Sequence, residues 1–177
     1  MKSVIEQLAN YKSVHLNKNN IKSHIVGVPM IIWSIALLLN MFSFEVTIFG
    51  HEMVVGLAIV VALVVLIYYF SLHVPLALMI ALLFGPLVIS TQLVVDMGQP
   101  VLIALGVFFI GWVIQFIGHA YERAKPAFID DINQLLIGPL FLIAELYFAL
   151  GLNKEMADEV HQKAVEKRKL FEQAKAV

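Results

Sequence analysis

The sequence predicts an all-α fold, a polytopic membrane helix bundle with four transmembrane helices and a re-entrant or interfacial fifth hydrophobic segment, and three observations predict it. Of 177 residues, 60% are hydrophobic and only 14% charged, whereas an ordinary soluble domain is about half apolar and a quarter charged. Five segments approach the ~20 apolar residues needed to cross a roughly 30 Å hydrocarbon core. Lysine and arginine gather beside alternate segments only, and positive charge near a span stays on the cytoplasmic side.

The segments are residues 25–44, 53–70, 74–95, 101–118 and 132–150, and the first four contain no Asp, Glu, Lys or Arg. Their connections, 45–52, 71–73, 96–100 and 119–131, are short enough to make neighbours antiparallel. Lys2, Lys12, Lys18 and Lys22 precede the first segment. Arg123 and Lys125 follow the fourth, and Lys154, Lys163, Lys167, Arg168, Lys169 and Lys175 fill the tail. Four crossings put all twelve on one side if the fifth segment enters and returns there; five would put the tail on the other. The expected unit is one membrane domain, 1–177, with a polar amino-terminal segment (1–24), a polar loop (119–131) and a charged carboxy-terminal helix (153–177). Met156, Val160 and Ala164, spaced by four, mark an apolar stripe on that helix.

A net charge of -1 gives no reason to expect a nucleic-acid partner. With no cysteine, a metal would fall to His, Asp, Glu, Asn or backbone oxygen. The polar start lacks the apolar stretch of a cleavable signal, so the first hydrophobic segment is expected to stay in the mature protein. The localisation that follows is a bacterial inner membrane, or the endoplasmic reticulum in a eukaryote, with the amino terminus cytoplasmic. Oligomeric state is left open.

Six histidines differ by placement. His15 and His24 precede the first span and His119 closes the fourth, so the topology brings these three to one face. His51 falls on the opposite face, His73 in a tight turn and His161 in the charged tail. Neutral imidazole is the commonest metal ligand. On one continuous helix His15 and His24 would point to opposite sides, but Asn17-Lys18-Asn19-Asn20 is a turn-forming cluster whose break would let them converge. His119 and Glu122, three apart, share a face if helix continues past Gly118. Tyr11, Asn20 and Gln115 are positioned either to orient imidazoles or merely to cap helices and anchor at the interface.

Glu145 lies inside the fifth apolar segment, where an unpaired carboxylate is costly and a functional role is the default hypothesis. The structural alternative is a protonated acid, or one paired with a neighbour such as Gln115 or Tyr147. Gly85-Pro86 and Gly138-Pro139 sit in matching contexts, 53 positions apart. Paired interruptions of this kind motivate the competing reading, a small transporter or channel with Glu145 in its path.

Two polar motifs sharpen the choice. Tyr11-Lys12-x-x-His15-x-Asn17-x-x-Asn20-x-x-x-His24-x-x-x-x-Pro29 is the first. Trp112-x-x-Gln115-Phe116-x-x-His119-x-x-Glu122-x-x-x-Pro126-Ala127-x-x-x-Asp131, followed by Pro139 and Glu145, is the second. Together they resemble the family of the yeast 2-hydroxy fatty acid dioxygenase, over essentially the whole chain. The resemblance implies a membrane-bound enzyme that uses Fe(II) and O2 to convert a 2-hydroxy fatty acid into a fatty acid one carbon shorter. It places His15, His24 and His119 on the family's histidine positions and Glu122 and Glu145 on its acidic, catalytic ones. Tyr11, Lys12, Asn17, Asn20 and Gln115 would then support the ligands or meet the substrate, with Lys12, Lys18 or Arg123 near its carboxylate. Some relatives carry a second histidine where this chain has Leu16, and are more apolar where it has Lys22-Ser23.

Overall fold

A computed structural model gives the structure of residues 2–129 and 131–175, which are mostly helical. A short helix α1 (Val4–Lys12) leads into α2 (Lys18–Leu39), and a hairpin of β1 (Ser43–Ile48) and β2 (His51–Gly56) follows. Then come α3 (Leu57–Leu72), α4 (Val74–Ser90), α5 (Gln92–Val95) and α6 (Pro100–Glu122). A 3₁₀ turn at Ala127–Ile129, α7 (Gln134–Ala149) and α8 (Lys154–Lys175) complete the described chain.

Among the described residues three helical stretches are long and apolar enough to cross a membrane: Lys18–Leu39, Val74–Val95 and Pro100–Glu122. α3 and α7 are apolar but shorter, at 16 residues each. The expected second span is therefore shorter than its sequence allows, and the hairpin is the reason. Ser43 pairs with Gly56 and Ile48 with His51, so residues read as the ends of two spans are taken up as strands. Phe49 and Gly50 form the two-residue turn, both with positive φ (51° and 79°), as hairpin turns that match strand twist require.

α2 and α6 pack antiparallel at close range because glycines face each other. A Cβ at Gly27 would meet the Gly111 carbonyl at 2.9 Å, and one at Gly118 would meet Ser23 Oγ at 1.9 Å. Small residues let backbones approach where lipid gives helices no other reason to associate. At the far end of α2, Asn40 Nδ2 donates to Thr91 Oγ1 (2.6 Å) and Trp33 Nε1 to Ser90 Oγ (3.1 Å), so α2 and α4 run parallel. α3, joined to α4 through His73 alone, runs back against it.

α7 is the most enclosed apolar helix, burying Ile137, Leu140, Phe141, Leu142, Ile143 and Ala144. Tyr69 Oη donates to the Leu136 carbonyl (2.6 Å), Tyr11 lies against Gly138, Lys12 is ion-paired with Glu145, and the Tyr147 ring meets His73. All these partners belong to the amino-terminal end of the bundle, although Leu136 and Tyr147 lie about 16 Å apart along the helix. Pro86 and Pro139 both sit inside unbroken helices, so neither Gly-Pro pair interrupts its segment. α8 is more than a solvated tail: Met156, Val160 and Ala164 are buried, and Lys167 reaches Glu6 Oε1 on α1 at 2.6 Å.

Candidate metal centre

Helix α1 ends at Lys12, and Asn17 caps α2 by accepting from Asn19 N (2.8 Å). The non-helical link between them is the break that the asparagine cluster predicts. It turns His15 back beside His24, with ring centroids 4.5 Å apart. His119, about one turn before the end of α6, completes a triangle at 4.9 Å from His15 and 5.1 Å from His24. All three side chains are buried, and one ligand nitrogen from each lies within 4.8 Å of the others.

The tautomers follow from the partners. His15 Nδ1 donates to the Tyr11 carbonyl (2.6 Å) and His24 Nδ1 to the Asn20 carbonyl (2.9 Å); a carbonyl only accepts, so both rings carry their proton on Nδ1. The two Nε2 lone pairs then face each other across 3.1 Å. A bridging proton would make one ring cationic, yet burial, followed by the neighbouring His24, pushes the His15 imidazole well below its ordinary value of 6.5. A metal cation could occupy the gap: nitrogen ligands sit about 2.0–2.1 Å from a zinc-sized ion, which separates two adjacent ligands by about 3 Å. Buried His119 Nδ1, Gln115 Oε1, Gln134 Oε1 and Asn20 Oδ1 have no hydrogen-bond partner among the described residues. Unsatisfied buried atoms of this kind leave donors and acceptors free for water, an ion or a ligand. Three neutral imidazoles suit iron, zinc, copper or nickel, so the donor set fits an iron ion without selecting it.

The other predicted residues surround this set. Tyr11 stacks on His15 (4.1 Å, 2°) and meets Phe141 (5.0 Å). Glu122 shares a helix face with His119 but turns elsewhere. Its Oε2 accepts from Asn17 N (2.7 Å) and Asn20 Nδ2 (3.2 Å), and its Oε1 faces Arg168 Nη1 at 3.6 Å. Asn17 Nδ2 also donates to the Tyr121 carbonyl (3.1 Å). Glu122 thus ties the His15–His24 link to α6 and α8. Glu145 pairs with Lys12, not with Gln115 or Tyr147. Lys18 and Arg123 are exposed, and among the described residues no lysine or arginine lines the cavity beside the histidines. His51 lies in the hairpin, His73 caps α4 by accepting from Leu76 N (3.3 Å), and His161 is exposed on α8.

That cavity, of about 470 Å³, begins at His15, His24, His119, Gln115 and Gln134. It follows α2 through Val28, Ile32 and Ala36 to Leu39. Gln134, Tyr69 and Phe141 escape sequence reading, since a lone polar or aromatic residue in an apolar helix carries no signal of what it faces.

A family model described as 2-hydroxy-palmitic acid dioxygenase Mpo1-like matches residues 1–150. The 2-hydroxy-palmitic acid dioxygenase MPO1 of Saccharomyces cerevisiae is 33% identical over 150 residues, covering 82% of this chain and 80% of the yeast protein. No solved structure matches.

Proposed function

We infer the function of this chain from two facts: it belongs to the Mpo1-like family, and it carries three converging buried imidazoles at the polar end of an apolar cavity. The reading they support is a membrane-embedded, Fe(II)-dependent dioxygenase of 2-hydroxy fatty acids. The reaction balances as 2-hydroxy acid plus O2 giving the fatty acid one carbon shorter, carbon dioxide and water. The observation that carries it is the facing pair of Nε2 lone pairs, 3.1 Å apart, in a relative of a named dioxygenase.

In this reading His15, His24 and His119 would hold the iron, which would supply activation of O2 when bound. Tyr11 and Asn20 keep two of the imidazoles in the metal-binding tautomer through their carbonyls. Gln115 and Gln134, with unpartnered oxygens at the cavity head, accept from the substrate's 2-hydroxyl. Glu122 and Glu145 act through the ligands they hold: Glu122 fixes the His15–His24 link, and Glu145 with Lys12 fixes the end of α1 on α7. The apolar walls lead the acyl chain away from the polar head and keep water from it.

The membrane arrangement we propose has α2, α3, α4 with α5, and α6 as four crossings, with α7 lying across the cytoplasmic end. This keeps the histidines beside the positively charged segments. Oxygen uptake by protein purified anaerobically, with 2-hydroxypalmitate as substrate, tests the reading. Pentadecanoate must accumulate as oxygen is consumed; substrate-independent flux of protons in liposomes, without oxygen uptake, would favour the transporter instead.

A further inference from the structure

We propose that the floor of the cavity, built by Ala36, Ala58 and Val88, sets the length of acyl chain the enzyme accepts; this rests on the dioxygenase reading of the same site. The cavity runs along α2 from His24 to Leu39, fifteen residues, or about 22 Å at the helical rise per residue. One leaflet's share of the hydrocarbon core, about 15 Å, already holds ordinary membrane acyl chains. The channel is long enough for a long-chain 2-hydroxy acid whose head lies at the imidazoles. Its volume of about 470 Å³ falls within the roughly 300–1,000 Å³ of small-molecule sites.

At the far end the lining is buried and close-packed. Ala36, Ala58 and Val88 pack together there, with Ile32, Leu39 and Ala62 against them. Behind them Asn40 Oδ1 accepts from Ala58 N (3.2 Å), Asn40 Nδ2 donates to Thr91 Oγ1 (2.6 Å), and Thr91 Oγ1 donates to the Val88 carbonyl (2.7 Å). These bonds pin the backbone of two floor residues, so the floor cannot recede as an acyl terminus presses on it. The residues that meet that terminus include three alanines, Ala36, Ala58 and Ala62, whose enlargement shortens the channel without touching the head. Val88→Ala deepens it.

The test compares 2-hydroxydecanoate with 2-hydroxypalmitate for wild type, Ala58→Leu, Ala62→Leu and Val88→Ala. Each is assayed in mild detergent for oxygen uptake and, under strict anaerobiosis, for displacement of a fluorescent fatty acid. Methylene-scale changes in an apolar pocket discriminate about 10- to 200-fold. Ala58→Leu and Ala62→Leu should therefore lose at least about tenfold in kcat/KM for the longer acid while changing the shorter one little. Val88→Ala should shift preference toward longer chains, and it keeps the test alive if the enlarged variants fail to fold. Unchanged chain-length profiles in folded, active variants would overturn the floor assignment alone. Length-dependent displacement with no oxygen uptake by wild type would support the channel and remove the dioxygenase reading.

Discussion

At the hairpin end of the bundle Asn40 and Thr91 are buried, and every polar atom of their side chains is engaged, with Ala58 N, with the Val88 carbonyl and with each other. At the opposite end of the same cavity His15, His24, His119, Gln115 and Gln134 are just as buried. There three polar oxygens or nitrogens have no partner among the described residues, and two imidazole lone pairs confront each other. Both ends carry the cost of burying polar groups, and only one recovers it within the chain. The hairpin end is complete as folded. In the function proposed above, a cation and a polar ligand complete the histidine end.

The largest effect expected from this contrast is on turnover. His15→Ala or His119→Ala should bring oxygen uptake with 2-hydroxypalmitate to background, whereas His51→Ala in the hairpin should leave the rate per folded molecule near wild type. Equal losses at both ends would erase the distinction. Glu122→Gln comes next, because it removes charge from the acceptor that holds Asn17 and Asn20 without touching an imidazole. Changes to groups that orient ligands cost roughly 10- to 100-fold in metal affinity or activity, and a titration with Fe(II) measures which.

Asn40→Ala should show its effect in stability instead. Leaving buried partners unsatisfied costs about 1–3 kcal/mol, visible as a lower unfolding temperature in detergent with iron content unchanged. The Lys12 and Glu145 pair is the intermediate case, partly buried and one residue from Tyr11. Lys12→Met and Glu145→Gln should each destabilise, and the double variant should cost less than their sum by about 0.5–3 kcal/mol; strict additivity would mean that the pair is not coupled.

The smallest effect lies outside the cavity. A hydrogen bond from Lys167 holds the Glu6 carboxyl below its ordinary value of 4.5, against a smaller opposing effect of burial. The folded state therefore binds fewer protons there, so the link between α1 and α8 stabilises above pH 4.5 and is lost as pH falls through the lowered value. Because both side chains are about one-third exposed, the contribution stays below about 1 kcal/mol. Protection of the α8 amides, expressed relative to the intrinsic exchange rate at each pH, should fall slightly between pH 6 and pH 4 in wild type but not in Glu6→Gln.

The residue types and placement of His15, His24 and His119 were legible because hydropathy sets which ends of the spans share a side, and the Asn17 cap supplied the turn that joins the first two. Glu122 on the His119 face followed from helical spacing alone. The hairpin was not legible: Phe44, Val46, Met53 and Val54 are as apolar as a span, and only the Phe49-Gly50 turn marks the strands. Nor was the partner of Glu145, since Lys12 stands 133 positions away and a long-range ion pair leaves no periodicity. The buried stripe of α8 was visible as spacing, but not that Arg168 would reach Glu122.

The most direct test of the account is metal content. Full-length protein loaded with Fe(II) anaerobically and desalted should hold about one iron per chain, since buried donors of this kind bind by folding around the ion. His15→Ala, His24→Ala and His119→Ala should each lose it, and His51→Ala should keep it. Wild-type iron retained in any two of the three triad variants would contradict the claim that these imidazoles form one centre.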